Sequence, residues 1–483
     1  MKRLLLILSL ITAFGIVFSQ TEISSFNATG GGYSTTYLTD YQCLGVNPAN
    51  LGWTRNDHTM NLGFFETAVS LYSEPLTKSE IYNDLFDNEA TFSMSQKENA
   101  ADNFTDARLL GIGSVMWFGF SYQDEWGGIA FNIRDRGLWN SVLNDQASQF
   151  LFLGYWADYF DLKLPNPEDP EIGISTDPEY ASTLYEGSDI NFGWTREFNL
   201  GYGRRVLGND VFDWHMGVGI KYILGYSGVQ YYQDDDGKLV GWSALSPVFE
   251  VDYGEPTPSQ VEGDGLKKVG NGFGFDIGTT FEYNKKLKVG LAVNDIGSIT
   301  WNGNVYEGRD VRICSIESGG LDNYNVFEQG QLISADNCPD DPNQWVGLEE
   351  RKVNLPMNFR AGASYRFSEY VEAGFDAYIP LKKDVVGAIY KPVFGIGARY
   401  DAAPWVQLSL SVVTSSKDYF GTNVPFTILF YPTKTDETTW TIGLGTRDMI
   451  TLFSQNNPTV SYAFGFLRFS FGQKESSTRY LEQ

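Results

Sequence analysis

Side chains suited to covalent or metal chemistry are scarce in this chain. Its 483 residues hold two histidines, His58 and His215, and three cysteines, Cys43, Cys314 and Cys338. A zinc site built from Cys and His needs more of these ligands at close spacing, so the inventory argues against one. No Gly-x-Ser-x-Gly lies between a strand pattern and a helix pattern, so no nucleophile elbow is written here. His215 falls on the polar face of its strand pattern. The sequence reads as that of a non-enzyme with no cofactor, apart from one weak calcium signal.

That signal is acidic. Glu168-Asp169-Pro170-Glu171, Asp234-Asp235-Asp236 and Asp336-Asn337-Cys338-Pro339-Asp340-Asp341 are dense in carboxylates. Such runs are usually solvated surface charge. The last resembles a fragment of an Asp-rich calcium repeat, and hard oxygen ligands suit Ca²⁺, which makes Asp336, Asp340 and Asp341 candidate ligands. Cys314 and Cys338 share one expected loop in an oxidising compartment, where a disulfide between them would close the loop. Cys43 is then left over. Phe150, Phe152, Tyr155, Trp156, Tyr159 and Phe160 form an aromatic run on another loop. It reads either as a landing site for a hydrophobic ligand or as packing against a barrel rim. Arg360, Arg366, Glu372, Asp376 and Arg399 sit on neighbouring strand patterns, where they could line a pore, pair with one another or hold an inserted segment.

The elements that must position these groups follow from composition and period. With 35 Lys+Arg against 60 Asp+Glu, the formal charge is −25. Nucleic-acid binding needs the opposite sign. Aromatics make up 15 % of residues and Gly numbers 51, which a helical bundle would not carry. Met1–Gln20 reads as a secretory signal: Lys2 and Arg3 precede the apolar run Leu4–Phe18, and Ser19-Gln20 offers a cleavage site. Removing two positive charges takes −25 to −27. No later stretch approaches the ~20 apolar residues of a membrane helix. An exported chain without one is soluble or crosses as a closed barrel.

Alternation favours the barrel. Met357, Phe359, Ala361, Ala363, Tyr365 and Phe367 alternate with Asn358, Arg360, Gly362, Ser364 and Arg366. Val406, Leu408, Leu410 and Val412 alternate with Gln407, Ser409 and Ser411. Each pattern gives one apolar and one polar face. Aromatics gather near segment ends (Tyr365, Phe367, Tyr400, Trp405, Tyr431, Trp440), as interfacial girdles require. Strands are expected near 59–72, 110–123, 128–135, 189–205, 212–228, 270–284, 287–301, 354–367, 370–380, 391–400, 405–415, 422–431, 439–448 and 459–472. Tight turns then alternate with long loops at 73–109, 136–188, 229–269 and 302–353. This is the pattern of an all-β, 14-stranded antiparallel outer-membrane barrel spanning 56–473, followed by a periplasmic tail at 474–483. The region 240–253 is a further strand candidate. The parity switch around Phe466 and Leu467 predicts a β-bulge.

Before the first strand, Phe26–Trp53 contains Gly30-Gly31-Gly32 and Asn47-Pro48-Ala49-Asn50-Leu51. An N-terminal segment ending in Asn-Pro-Ala-x-Leu ahead of a 14-strand pattern resembles the FadL-type long-chain fatty acid transporters of Gram-negative outer membranes. It also resembles related barrels that serve type IX secretion. The segment Asn354–Tyr365 is similar to strands of these relatives. The resemblance implies that residues 21–55 fold into the lumen as a hatch, with Asn47, Pro48 and Ala49 at its tip. It implies a monomer among outer-membrane lipids that moves a hydrophobic or amphipathic small molecule. The alternative is a surface secretion or assembly barrel whose loops bind proteins.

Overall fold

The computed structural model describes residues 26–53, 58–85, 91–168, 170–234, 236–251, 253–324, 335–383, 385–417 and 419–473. The expected signal at 1–20, residues 21–25, 54 and 55 of the expected hatch, and the tail at 474–483 lie outside the described residues.

Fourteen strands pair in chain order: β1 His58–Ser73, β2 Arg108–Asp124, β3 Gly127–Val142, β4 Asp189–Gly208, β5 Phe212–Gln233, β6 Gly270–Tyr283 and β7 Leu287–Trp301, then β8 Asn358–Arg366, β9 Val371–Pro380, β10 Val393–Ala403, β11 Val406–Thr414, β12 Phe426–Lys434, β13 Thr438–Thr446 and β14 Thr459–Gln473. Each strand pairs antiparallel with the next, and β14 returns to β1 with Phe471 opposite Met60 and Val460 opposite Leu71. Closure leaves no free edge, so every strand can satisfy its backbone without water.

The period-two pattern sorts the faces. On β5 and β6, Val218, Ile220, Phe273, Phe275 and Ile277 point outward and are exposed. Lys221, Asp276 and Thr280 point inward and are buried. An apolar exterior around a polar interior is the arrangement lipid selects. Tyr365, Phe367, Tyr400 and Trp405 are exposed at the tight-turn end. Trp126 there stacks on Tyr202 at 5.9 Å between ring centres. The parity switch in β14 is a bulge: the register with β13 slips between Thr441–Arg468 and Gly443–Gly465, and both Phe466 and Leu467 face out.

The wall is uneven in height. β4 has 20 residues and β5 has 22, whereas β8, β11, β12 and β13 have 9 each. The expected end of β3 at 135 is too early. Residues 136–142 carry charge and glycine, which weaken alternation, yet they pair with both neighbours up to Val142. β5 likewise continues past 228 to Gln233. The candidate at 240–253 becomes a strand at Leu239–Leu245 that pairs with β5 and with Val305–Gly308, above the barrel.

The long loops build a cap. It contains helices Lys78–Asn83, Met94–Phe104 and Asp145–Leu153. A small sheet orders Ala335–Asn337, Ile313–Ile316, Ile172–Ile174 and Leu162–Leu164. Among the described residues, no helix is long and apolar enough to cross a membrane.

Candidate functional site

The lumen is occupied by residues 28–53, nearly all of them buried. Two short 3₁₀ turns, Asp40–Cys43 and Pro48–Gly52, let this glycine-rich stretch fold back without a period. Asn47 caps the second turn: its Oδ1 accepts from Ala49 N at 3.2 Å, and its Nδ2 donates to Thr280 Oγ1 at 2.9 Å. The wall makes room by having no side chains there. A Cβ on Gly278 would lie 2.0 Å from Asn47 Oδ1, and one on Gly217 would lie 2.3 Å from the Pro48 carbonyl carbon. Asn47, Pro48 and Ala49 thus rest on β5 and β6 through backbone contact.

Three of the five expected lumen charges hold this segment. Asp376 Oδ2 accepts from Ser34 N at 2.6 Å, Ser34 Oγ at 2.9 Å, Thr35 N at 3.0 Å and Thr35 Oγ1 at 3.1 Å. Arg399 donates to the Tyr33 carbonyl at 3.1 Å and lies 3.2 Å over the Tyr37 ring. Arg360 donates to Ser34 Oγ at 3.4 Å and packs over Tyr378. Arg366 and Glu372 instead approach each other to 3.8 Å near the tight-turn end. The charges that line the wall are thus engaged with an inserted peptide and do not form an open pore lining.

A second grip escapes sequence reading. Asp40 pairs with Arg468 at 2.7 Å. Glu66 accepts from Tyr41 Oη and from Gln42 Nε2, each at 2.7 Å. Glu66 follows Phe64-Phe65 and Arg468 follows Phe466-Leu467, and in each pair both residues face outward. These parity breaks hide which face the next charge takes.

Above the segment lies a cavity of about 80 Å³. Its walls include Ile112, Leu138, Ile223, Ile299, Trp301 and Leu355. Its base is charged: Arg134 and Arg136 each reach Glu197 at 2.9 Å, and Arg136 reaches Asp295 at 3.4 Å. Lys221 bonds Asp276 at 3.0 Å and also Asp295. Three cations thus face three carboxylates. Desolvated charge of this kind is tolerated only when paired. A Cβ on Gly45 would sit 2.9 Å from Arg134 Nη2, so the base abuts the inserted segment. Val386, Gly387 and Ile389 come in from the 381–392 loop. Asn191 pins that loop, donating to the Val385 carbonyl and accepting from Gly387 N, each at 3.1 Å.

Of the two readings of the aromatic run, the structure shows packing. Phe150, Phe152 and Phe160 are 3 %, 1 % and 1 % exposed. Phe150 and Phe160 pack with Ala181, Leu184, Ile313 and Ile316, and half-buried Tyr155 and Tyr159 close around them. Phe152 packs with Leu76, Ile81 and Phe104. Trp156 lies tilted against Tyr155, with ring centres 5.8 Å apart. The loops need their own core once they stand clear of the barrel, and these rings supply it. They do not present an open landing surface.

The three candidate calcium ligands are placed apart. Asp341 is taken by Arg312, which donates Nη2 to Oδ1 at 3.1 Å and Nε to Oδ2 at 3.2 Å. These bonds hold the Asp341 carboxyl below its ordinary range. Asp336 and Asp340 are exposed. No cation-holding group forms from Asp336, Asp340 and Asp341. Cys314 and Cys338 form a disulfide that ties the strand Ile313–Ile316 to the residue following Ala335–Asn337 in the cap sheet. Cys43 is free and buried in the inserted segment.

Closure, an apolar exterior and a filled polar lumen define the class: a membrane-spanning 14-stranded β-barrel with a peptide inside it. The chain belongs to a family of unknown function (DUF5723), whose model matches residues 54–434. No protein of curated function matches it. Among solved structures it is similar to the Pseudomonas putida toluene transporter TodX, at 10% identity, covering 95% of this chain and 100% of that one with a TM-score of 0.42. It is similar to the Ralstonia pickettii toluene transporter TbuX at 11% identity, covering 93% and 98% with a TM-score of 0.42. A Pseudomonas aeruginosa FadL homologue follows at 10% identity, covering 94% and 97% with a TM-score of 0.40.

Proposed function

We propose that this barrel is a monomeric outer-membrane transporter that passes a small hydrophobic or amphipathic molecule through its lumen, with residues 21–55 acting as the hatch. The observation that carries this reading is the cavity whose charged base abuts the inserted segment where Arg134 meets Gly45. Its apolar walls suit a hydrocarbon portion, and its base of paired charges suits a polar end. At about 80 Å³ it is smaller than the ~150 Å³ apolar cavity that holds a benzene ring. Passage therefore needs the segment below or the 381–392 loop above to move.

The test is conductance and solute flux in planar bilayers. Wild-type protein stays closed to small ions, and deletion of residues 26–53 opens it. A deletion variant that inserts, migrates as a folded barrel and remains closed overturns the hatch. Native mass spectrometry of protein extracted in mild detergent reports whether an apolar molecule of small mass is retained. A sealed lumen together with a stoichiometric protein partner would favour the secretion reading instead.

A further inference from the structure

One constellation of the barrel is used neither by the hatch contacts nor by the cavity. At the tight-turn end, Asp213 and His215 on β5 and Glu282 on β6 face the lumen side by side. Asp213 lies directly across from Glu282, and His215 is one inward position further along. One donor atom from each side chain lies within 4.8 Å of the others.

His215 sets the cluster apart from an ordinary acidic patch. Its residue is 3 % exposed, and neither ring nitrogen has a hydrogen-bond partner. A buried imidazole usually has both nitrogens occupied, by hydrogen bonds or by a metal. The other histidine of the chain follows that rule: His58 Nε2 meets Thr439 Oγ1 at 2.8 Å, and Nδ1 meets the Gly472 carbonyl at 3.2 Å. The carboxylates beside His215 are only loosely engaged. Asp213 pairs with Arg205 at 3.1 Å, and the Arg205 side chain is 58 % exposed. Glu282 reaches Lys288 only at 3.7 Å. The exposed Arg205 pair contributes little and exchanges readily, and the Lys288 pair, though buried, is too long for a hydrogen bond.

We propose that Asp213, His215 and Glu282 bind one divalent transition-metal cation of the zinc type, with water completing the shell. One imidazole nitrogen and two carboxylate oxygens are a ligand set this ion accepts, and on entering it displaces Arg205 from Asp213 and Lys288 from Glu282. Metal–ligand bonds of ~2.1 Å put tetrahedral ligands roughly 3.4 Å apart, so the donors, which lie within 4.8 Å of one another, draw together by at most about 1.4 Å. Glu282, with three side-chain torsions, has that freedom. The position gives the ion a consequence. A Cβ on Gly52 would lie 2.9 Å from His215 Nδ1, so the site adjoins the place where the inserted segment leaves the lumen. A bound cation fastens β5 to β6 beneath Pro48–Gly52. The site stands whether or not the barrel carries cargo.

The test uses tag-free, full-length protein in detergent, stripped with chelator and titrated with ZnCl₂ and, for its visible spectrum, with CoCl₂. Wild type is expected to take up one equivalent, show a cobalt ligand-field band and melt at a higher temperature with Zn²⁺. His215→Gln and Glu282→Gln should each weaken binding by about tenfold or more and remove the melting shift. His58→Gln should leave the stoichiometry unchanged. Heat-modifiable gel migration establishes that each variant is folded. Failure of wild type to bind, or the same affinity in both folded site variants, overturns the proposal.

Discussion

At the scale of single residues, the lumen contacts make sharp demands. Asp376 accepts four hydrogen bonds from Ser34 and Thr35, all on one oxygen and all buried. Asp376→Ala leaves those donors unmatched and should destabilise the folded protein by about 2–3 kcal/mol, read as a lower midpoint in urea unfolding. It should also make the 26–53 segment cleavable by added protease, while Arg366→Ala, which changes only the Glu372 pair, should not. Gly278→Leu tests the backbone seat of Asn47. A side chain there overlaps Asn47 Oδ1, and the expected outcome is an expelled segment and higher conductance. Much of this was legible in the alternating strands: Arg360, Asp376 and Arg399 read as inward from parity alone. Glu66 and Arg468 did not, because a local double-outward pair precedes each. Sequence also could not show that Asp376 meets Ser34, since 342 residues separate them and only closure of the ring brings them together.

Elements fared unevenly for a physical reason. The strands of the barrel announce themselves because lipid on one side and a polar lumen on the other impose a strict period of two. In the cap no such pair of solvents exists, and the aromatic run looked the same whether it faced water or a core. The cap's own hydrophobic clusters decide that question. Its disulfide closes a loop of 24 residues, so reduction should lower the cap's stability by roughly 3 kcal/mol in the chain-entropy account. Hydrogen exchange should then rise in Ile313–Ile316 and Ala335–Asn337 and stay unchanged in β8 to β13. The Arg312–Asp341 pair adds a pH dependence of known sign. The Asp341 carboxyl is held low chiefly by the Arg312 side-chain hydrogen bond. Its contribution is therefore fully present above the ordinary carboxylate range and is lost as pH falls through the lowered value. Protection factors at Cys338, Asp340 and Asp341, which correct for the fall of intrinsic exchange with pH, should accordingly be constant from neutral to mildly acidic pH and drop only in stronger acid.

On the scale of the whole molecule, height matters as much as closure. At ~3.3 Å per residue, β5 extends roughly 70 Å along its own length and β8 about 30 Å. A tilted strand needs only ~9–11 residues to traverse the hydrocarbon. The short strands are used up in the membrane, whereas β4 and β5 continue well past it and carry the cap. The rim is consequently a slope rather than a level ring. With the cap outward, as proposed, a bulky particle arriving from outside meets the raised flank of β4 and β5 first. The rim is lower beside the short strands, at the loops following β9 and β11, one of which is the loop that Asn191 holds over the cavity.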